Sequence, residues 1–156
     1  MPKAVELLFL TTSSPFLVGV YEDGKLIDSI SSSEKSSEAL PDIYKNLDSI
    51  YDITALFYVN GPGSFMSIKI TYIFLKSMSV LKTIPLYACD AFAFNENSPI
   101  KALGKLYFVK IAGKIRSQKM DSTTESIYSL PDLLNYNNFS HISEPYYGLG
   151  AVGEEE

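Results

Sequence analysis

Residues 54–82 decide the fold: Thr54-Ala55-Leu56-Phe57-Tyr58-Val59-Asn60, then Gly61-Pro62-Gly63-Ser64-Phe65, then a run free of Gly and Pro to Lys82. Thr54 to Asn60 is rich in aromatic and branched side chains, the composition of a buried strand. Gly61-Pro62-Gly63-Ser64 is a turn that opens a helix over about Ser64 to Lys82. On a wheel of about 100° per residue, Phe65, Ile68, Tyr72 and Leu75 share one side. Ile70, Phe74, Met78 and Leu81 share another, while Lys69 and Lys76 occupy one narrow sector. A helix packed on a sheet needs one apolar stripe. Two apolar sides call for a second cover, supplied either by a neighbouring helix or by another molecule.

Upstream, Ala4 to Thr12 is almost wholly apolar and reads as a buried strand. Phe16 to Tyr21 and Leu26 to Ile30 flank Glu22-Asp23-Gly24-Lys25, and Asp-Gly between two such runs predicts a hairpin. Ser31-Ser32-Ser33 offers capping hydroxyls for a helix over about Glu34 to Ser49. Leu40, Ile43, Tyr44, Leu47 and Ile50 form its apolar stripe, and Pro41 predicts a kink or restart. Downstream, Ile84 to Cys89 reads as a fifth strand and Asp90 to Phe94 as a short helical turn. The order β-β-β-α-β-α-β predicts an α/β fold of the ribonuclease-H-like or actin-like (ASKHA) kind, with a mixed five-stranded sheet. Residues 1–100 would form that lobe and residues 101–156 a reduced second lobe. The latter is expected to hold a hairpin of Leu106 to Ile111 with Ile115 to Met120, a short helix Leu130 to Asn135 capped by Ser129, and an acidic tail.

Bulk properties fit one globular chain: 156 residues, 46% apolar, 20% charged. No apolar run reaches the roughly 18 residues that cross a bilayer, and Glu6 interrupts the N-terminal apolar stretch, so no membrane span or secretory signal is expected. Cys89 is the only cysteine, which excludes an internal disulfide and suits a reducing cytoplasm. The net charge of −5 is unevenly spread. Asn97 to Met120 holds Lys101, Lys105, Lys110, Lys114, Arg116 and Lys119 and no acid, whereas Asp121 to Glu156 holds seven acids and no Lys or Arg.

Catalytic chemistry is poorly served. Gly61, Gly63 and Ser64 at a helix start suit an anion or nucleotide phosphate, or simply a structural turn; the P-loop lysine and the third glycine of a dinucleotide fingerprint are missing. A kinase or nuclease of these folds should end its first strand in an acid, but this strand ends Leu10-Thr11-Thr12-Ser13-Ser14. His141 is the only histidine, which removes His-rich metal sites, and Cys89 closes an apolar strand as core residues do. No catalytic or metal-ligating residue is therefore assigned. An actin-like-fold phosphotransferase or nucleotide-binding protein acting alone is the alternative reading, and a peptidase is weaker still.

The runs Ser36-Ser37-Glu38-Ala39-Leu40-Pro41-Asp42-Ile43 and Gly61-Pro62-Gly63-Ser64-Phe65, with the Glu-Asp-Gly hairpin and Ile84-Pro85-Leu86, resemble the TsaB (YeaZ) family over about residues 4–95. Gly104-Lys105-Leu106-Tyr107 adds a fainter match beyond. The resemblance implies a non-catalytic, actin-like-fold partner of TsaD, which works with TsaE to install threonylcarbamoyladenosine beside the anticodon of tRNA. ATP and metal would belong to TsaD, no cofactor to this chain, and tRNA would be met only through the complex. Docking would use the first two helices, here represented by Leu40, Ile43, Tyr44, Leu47, Ile68, Tyr72, Leu75 and Lys76, and the same surface would form a homodimer when TsaD is absent. Thr11 stands where the family carries an acid, and Met66, Ser67 and Lys69 depart from its Thr-Gly and Arg; the second lobe is also shortened after about Ile111.

Overall fold

The computed structural model describes residues 2–12, 15–103, 105–121 and 127–146. A five-stranded sheet is built from β1 (Ala4–Leu10), β2 (Phe16–Glu22), β3 (Lys25–Ser32), β4 (Asp52–Val59) and β5 (Leu86–Cys89) in the order β3-β2-β1-β4-β5. β1, β2 and β3 pair antiparallel, and β4 and β5 extend the sheet in parallel. The expected mixed sheet is thus present. The Asp-Gly hairpin forms with Asp23 at φ 51° and Gly24 at φ 80°, the paired positive φ values that twist two strands together.

Helices α1 (Ser36–Ile50) and α2 (Phe65–Lys82) cross over one face of the sheet. Between them and the sheet lies a core of Leu7, Phe9, Val18, Leu40, Tyr44, Leu47, Leu56, Tyr58 and Leu75. The opposite face is covered by a 3-10 helix (Ala91–Phe94) and by a three-stranded antiparallel sheet of β6 (Ile100–Leu103), β7 (Leu106–Ile111) and β8 (Lys114–Lys119). Leu8, Leu10, Tyr21, Phe57 and Val59 meet Phe92, Phe94, Ile100 and Phe108 there in a second core. The result is three layers, helices on sheet on small sheet.

Three local expectations need correction. Ser31 and Ser32 do not cap α1, because β2 is long enough to pair them with Leu17 and Phe16 as the end of β3. The cap position falls on Lys35, with no side-chain bond, and α1 runs through Pro41 without a break. Leu130 to Asn135 is not helical. Its backbone is drawn to the β2–β3 turn instead, where Leu26 N–H donates to Asp132 O at 2.9 Å and Leu134 N–H to Gly24 O at 2.8 Å. A 3-10 turn follows at Tyr136–Asn138. The strand β6 was not anticipated by any pattern in its four residues. The expected acidic tail beyond Tyr146, together with Ser13, Ser14 and Gly104, lies outside the described residues.

This C-terminal segment is a strap. It bridges Lys25 beside Leu133 and Ala88 beside Ser140, so it runs from the β3 edge of the main sheet to the β5 edge. Tyr21 Oη donates to Pro131 O at 2.7 Å, and Tyr58 Oη donates to Ser143 O. The strap thereby supplies partners to two sheet edges that would otherwise be open.

Candidate functional site

α2 has two sides with different environments. Ile68, Thr71 and Leu75 are fully buried against the sheet. Thr71 Oγ1 donates to Ser67 O at 2.7 Å, which leaves Thr11 Oγ1 as the donor in the buried 2.7 Å bond between the two hydroxyls. The end of β1, where a metal-binding acid would sit in a phosphotransferase, is therefore a hydroxyl tied to the helix. On the outer side Phe65, Met66, Ile73, Val80 and Leu81 are each more than half exposed. A shallow groove runs there between Tyr72, Ile73, Lys76, Ser77, Val80 and Leu81.

α1 covers only the flank of α2. Tyr44 and Phe74 meet edge to face at 5.8 Å, and Lys82 Nζ reaches Asp48 Oδ2 at 3.1 Å. Of the eight residues expected at a docking surface, Leu40, Tyr44, Leu47, Ile68 and Leu75 lie in the core. Ile43 and Tyr72 are half-buried, and Lys76 is exposed. The apolar surface is carried instead by Met66, Ile73, Val80 and Leu81. A wheel fixes relative angles but not which sector faces the sheet. Part of the signal was present in the two lysines: centring the solvent sector on Lys69 and Lys76 takes in Phe65, Val80, Tyr72 and Ile73, with Met66 at its margin.

The glycine loop is occupied by the chain's own backbone. Gly61 has φ 117°, and a Cβ there would lie 1.9 Å from the Tyr146 carbonyl oxygen. A Cβ at Gly63 would press on the Thr12 side chain at 3.0 Å. Tyr146 N–H donates to Asn60 O at 2.7 Å, Asn60 Nδ2 to Glu144 O at 3.1 Å, and Ala91 N–H to Gly61 O at 2.9 Å. The strap's Tyr146 carbonyl oxygen, an acceptor, fills the space that Gly61 opens, and the Thr12 side chain fills the space at Gly63. Ser64 is exposed and makes no capping bond with its side chain. Close packing is sufficient reason for both glycines, against the strap at Gly61 and against Thr12 at Gly63.

Cys89, Asp90, Lys110, Glu6 and Tyr136 hold structural roles. Cys89 is buried, and burial, reinforced by the Asp90 carboxylate, pushes its thiol up to about 12, so it is no thiolate at neutral pH. Asp90 Oδ1 accepts from Phe92 N–H at 3.0 Å to start the 3-10 helix, and Asp90 Oδ2 pairs with Lys110 at 2.5 Å. His141 lines a concavity with Glu6, Phe57, Tyr87, Tyr136, Phe139 and Ser140. Glu6 there accepts from Tyr136 Oη, and Ser140 Oγ accepts from Ile142 N–H at 3.1 Å. Burial first, then that bond to Glu6, raises the Tyr136 phenol to about 12. Among the described residues no three His, Cys, Asp or Glu converge as metal ligands, and no helix is long and apolar enough to cross a membrane.

No protein-family model matches the sequence, and no curated protein matches it. Solved structures do. YeaZ from Pseudomonas aeruginosa superposes with a TM-score of 0.59 over 75% of this chain and 65% of its own, at 15% identity.

The chain shares its fold with YeaZ.

An uncharacterized protein with similarity to peptidase YEAZ from Pseudomonas aeruginosa agrees, with a TM-score of 0.57, 16% identity, and coverage of 75% of this chain and 64% of that one. The chain thus spans less than two thirds of the length of either YeaZ-like structure. The fold class expected from the strand and helix order, actin-like and ribonuclease-H-like, is the one observed.

Proposed function

We propose that this chain is a non-catalytic scaffold subunit that docks TsaD, together with TsaE, for threonylcarbamoyladenosine modification of tRNA next to the anticodon. The observation that carries the reading is the outer side of α2, where Ile73, Val80 and Leu81 stand 53%, 68% and 72% exposed on a YeaZ-like fold. Such an apolar helix face, edged by Lys69 and Lys76, is the surface that a protein partner buries. Ile43 and Tyr72 extend it toward the junction with α1. ATP and metal belong to TsaD in this reading, and the Thr11–Thr71 pair and the filled glycine loop accord with a subunit that does no chemistry itself. Without TsaD the same face pairs with a second copy. The single, buried Cys89 suits work in the cytoplasm.

The test is sedimentation of the purified chain with and without TsaD from the same organism. A dimer that dissociates as a tight complex with TsaD forms is the expected result. Ile73→Glu with Val80→Glu should abolish that complex while leaving the circular dichroism spectrum intact. Undiminished affinity of the double variant would sink the reading.

A further inference from the structure

The basic segment from Lys101 to Lys119 is folded so that its charges are sorted by face. In β6-β7-β8 the directly paired residues point to the same side. Ile100, Phe108 and Ser117 form one such row, and Ile100 and Phe108 are buried in the second core. Lys110 and Ile115 are the next inward pair; Ile115 packs on that core and Lys110 reaches Asp90. The alternating positions must face outward. They are the row Lys101–Tyr107–Gln118, then Val109 beside Arg116, then Ile111 beside Lys114. Lys101, Lys114 and Arg116 are exposed, and Ile111 is 57% exposed.

Among the described residues, this sheet face presents three cations and Gln118 around a half-buried aromatic ring and two branched side chains, with no acid in those rows. An ordinary solvated face mixes both signs. Edge protection, for which lysine is especially used, accounts for cations on the edge strands β6 and β8, but not for the Tyr107 ring set between them on the outer side of the central strand. In a chain with 18 acids and 13 bases, uniform positive charge on one face is the feature to explain. Lysine and arginine flanking a central aromatic on an antiparallel sheet is an arrangement that takes the phosphates of a single strand and stacks its bases.

We propose that the outer face of the β6-β7-β8 sheet binds single-stranded RNA, with Lys101, Lys114 and Arg116 on phosphates and Tyr107 under a base. This is separate from docking on α2, since the two surfaces lie in different layers, and it can fail or stand without TsaD. The experiment is fluorescence anisotropy of the full chain with a labelled 12-nucleotide oligouridine and with unmodified tRNA, from about 50 to 200 mM salt. Binding should weaken as salt rises, and Lys101→Ala with Lys114→Ala and Arg116→Ala should lower affinity at least tenfold at 50 mM. The same triple variant should flatten the slope of log affinity against log salt by about 2, roughly 0.7 for each phosphate contact on a single strand. Tyr107→Phe should bind as the parent does, and Tyr107→Ser about tenfold more weakly. Lys25→Ala with Lys35→Ala and Lys45→Ala makes the same charge change elsewhere and should alter affinity less than twofold. Absence of binding at 50 mM salt, equal losses from the two triple variants, or polyglutamate binding as tightly as oligouridine would each overturn the proposal, the last in favour of an acidic protein.

Discussion

α1 and α2 lie side by side on the same face of the same sheet, yet they distribute their apolar residues differently. In α1, Leu40, Tyr44 and Leu47 are buried, while Glu38, Asp42, Lys45, Asn46 and Asp48 face water. α2 anchors itself with a similar number, Ile68, Thr71 and Leu75, and still turns Ile73, Val80 and Leu81 outward. α1 shows that one apolar stripe is enough to hold a helix on this sheet. The surplus on α2 is therefore not demanded by the fold, and an exposed surplus of that kind is what an interface uses.

That comparison can be broken most sharply at the anchors. Leu75→Ala in α2 and Leu40→Ala in α1 should each cost about 2–5 kcal/mol in urea denaturation, because both side chains are wholly buried and leave cavities. A loss under about 1 kcal/mol at Leu75 would mean that α2 is not held by its inner stripe. The polar anchor comes next. Thr71→Val should cost about 1 kcal/mol by stranding the buried Thr11 hydroxyl, and adding Thr11→Val should recover part of that loss. Failure to recover would show that the two hydroxyls are not coupled. The smallest effect belongs to the outer side, where Ile73→Glu with Val80→Glu should leave stability within about 0.5 kcal/mol of the parent. A larger loss would make that side part of the core and remove the contrast with α1.

Much of the fold was legible in the residues. The Asp23-Gly24 turn, the strand ending at Val59, the glycine loop and the long helix after it were all marked by local chemistry. The mixed five-stranded sheet followed from the hairpin and the helix-linked strands, while the spatial order β3-β2-β1-β4-β5 came with the structure. Where reading failed, the missing information was tertiary. Pro131 and the polar residues beside it could have ended a helix or a strand; backbone partners from the β2–β3 turn decided for an extended strap. Ser31 and Ser32 have the chemistry of caps, yet a ladder partner in β2 outcompetes a capping role. Of the expected docking residues, Ile43, Tyr72 and Lys76 reach the surface, and five went to the core because the rotation of each helix about its own axis is set by packing.

By itself the sequence determined the elements from β1 to the 3-10 helix at Ala91–Phe94 and the β7–β8 hairpin, since these depend on spacing, turn residues and propensity along the chain. It also determined that cations crowd into one segment. Only the tertiary structure decided that a strap from residues 127–146 crosses the second face and places the Tyr146 carbonyl over Gly61. It alone sorted Lys101, Lys114 and Arg116 from Lys110, by the strand register that sends alternate side chains to opposite faces. And it settled which side of α2 meets the sheet, because a helix with apolar residues nearly all round carries little internal instruction, here only Lys69 and Lys76, about which of them should be buried.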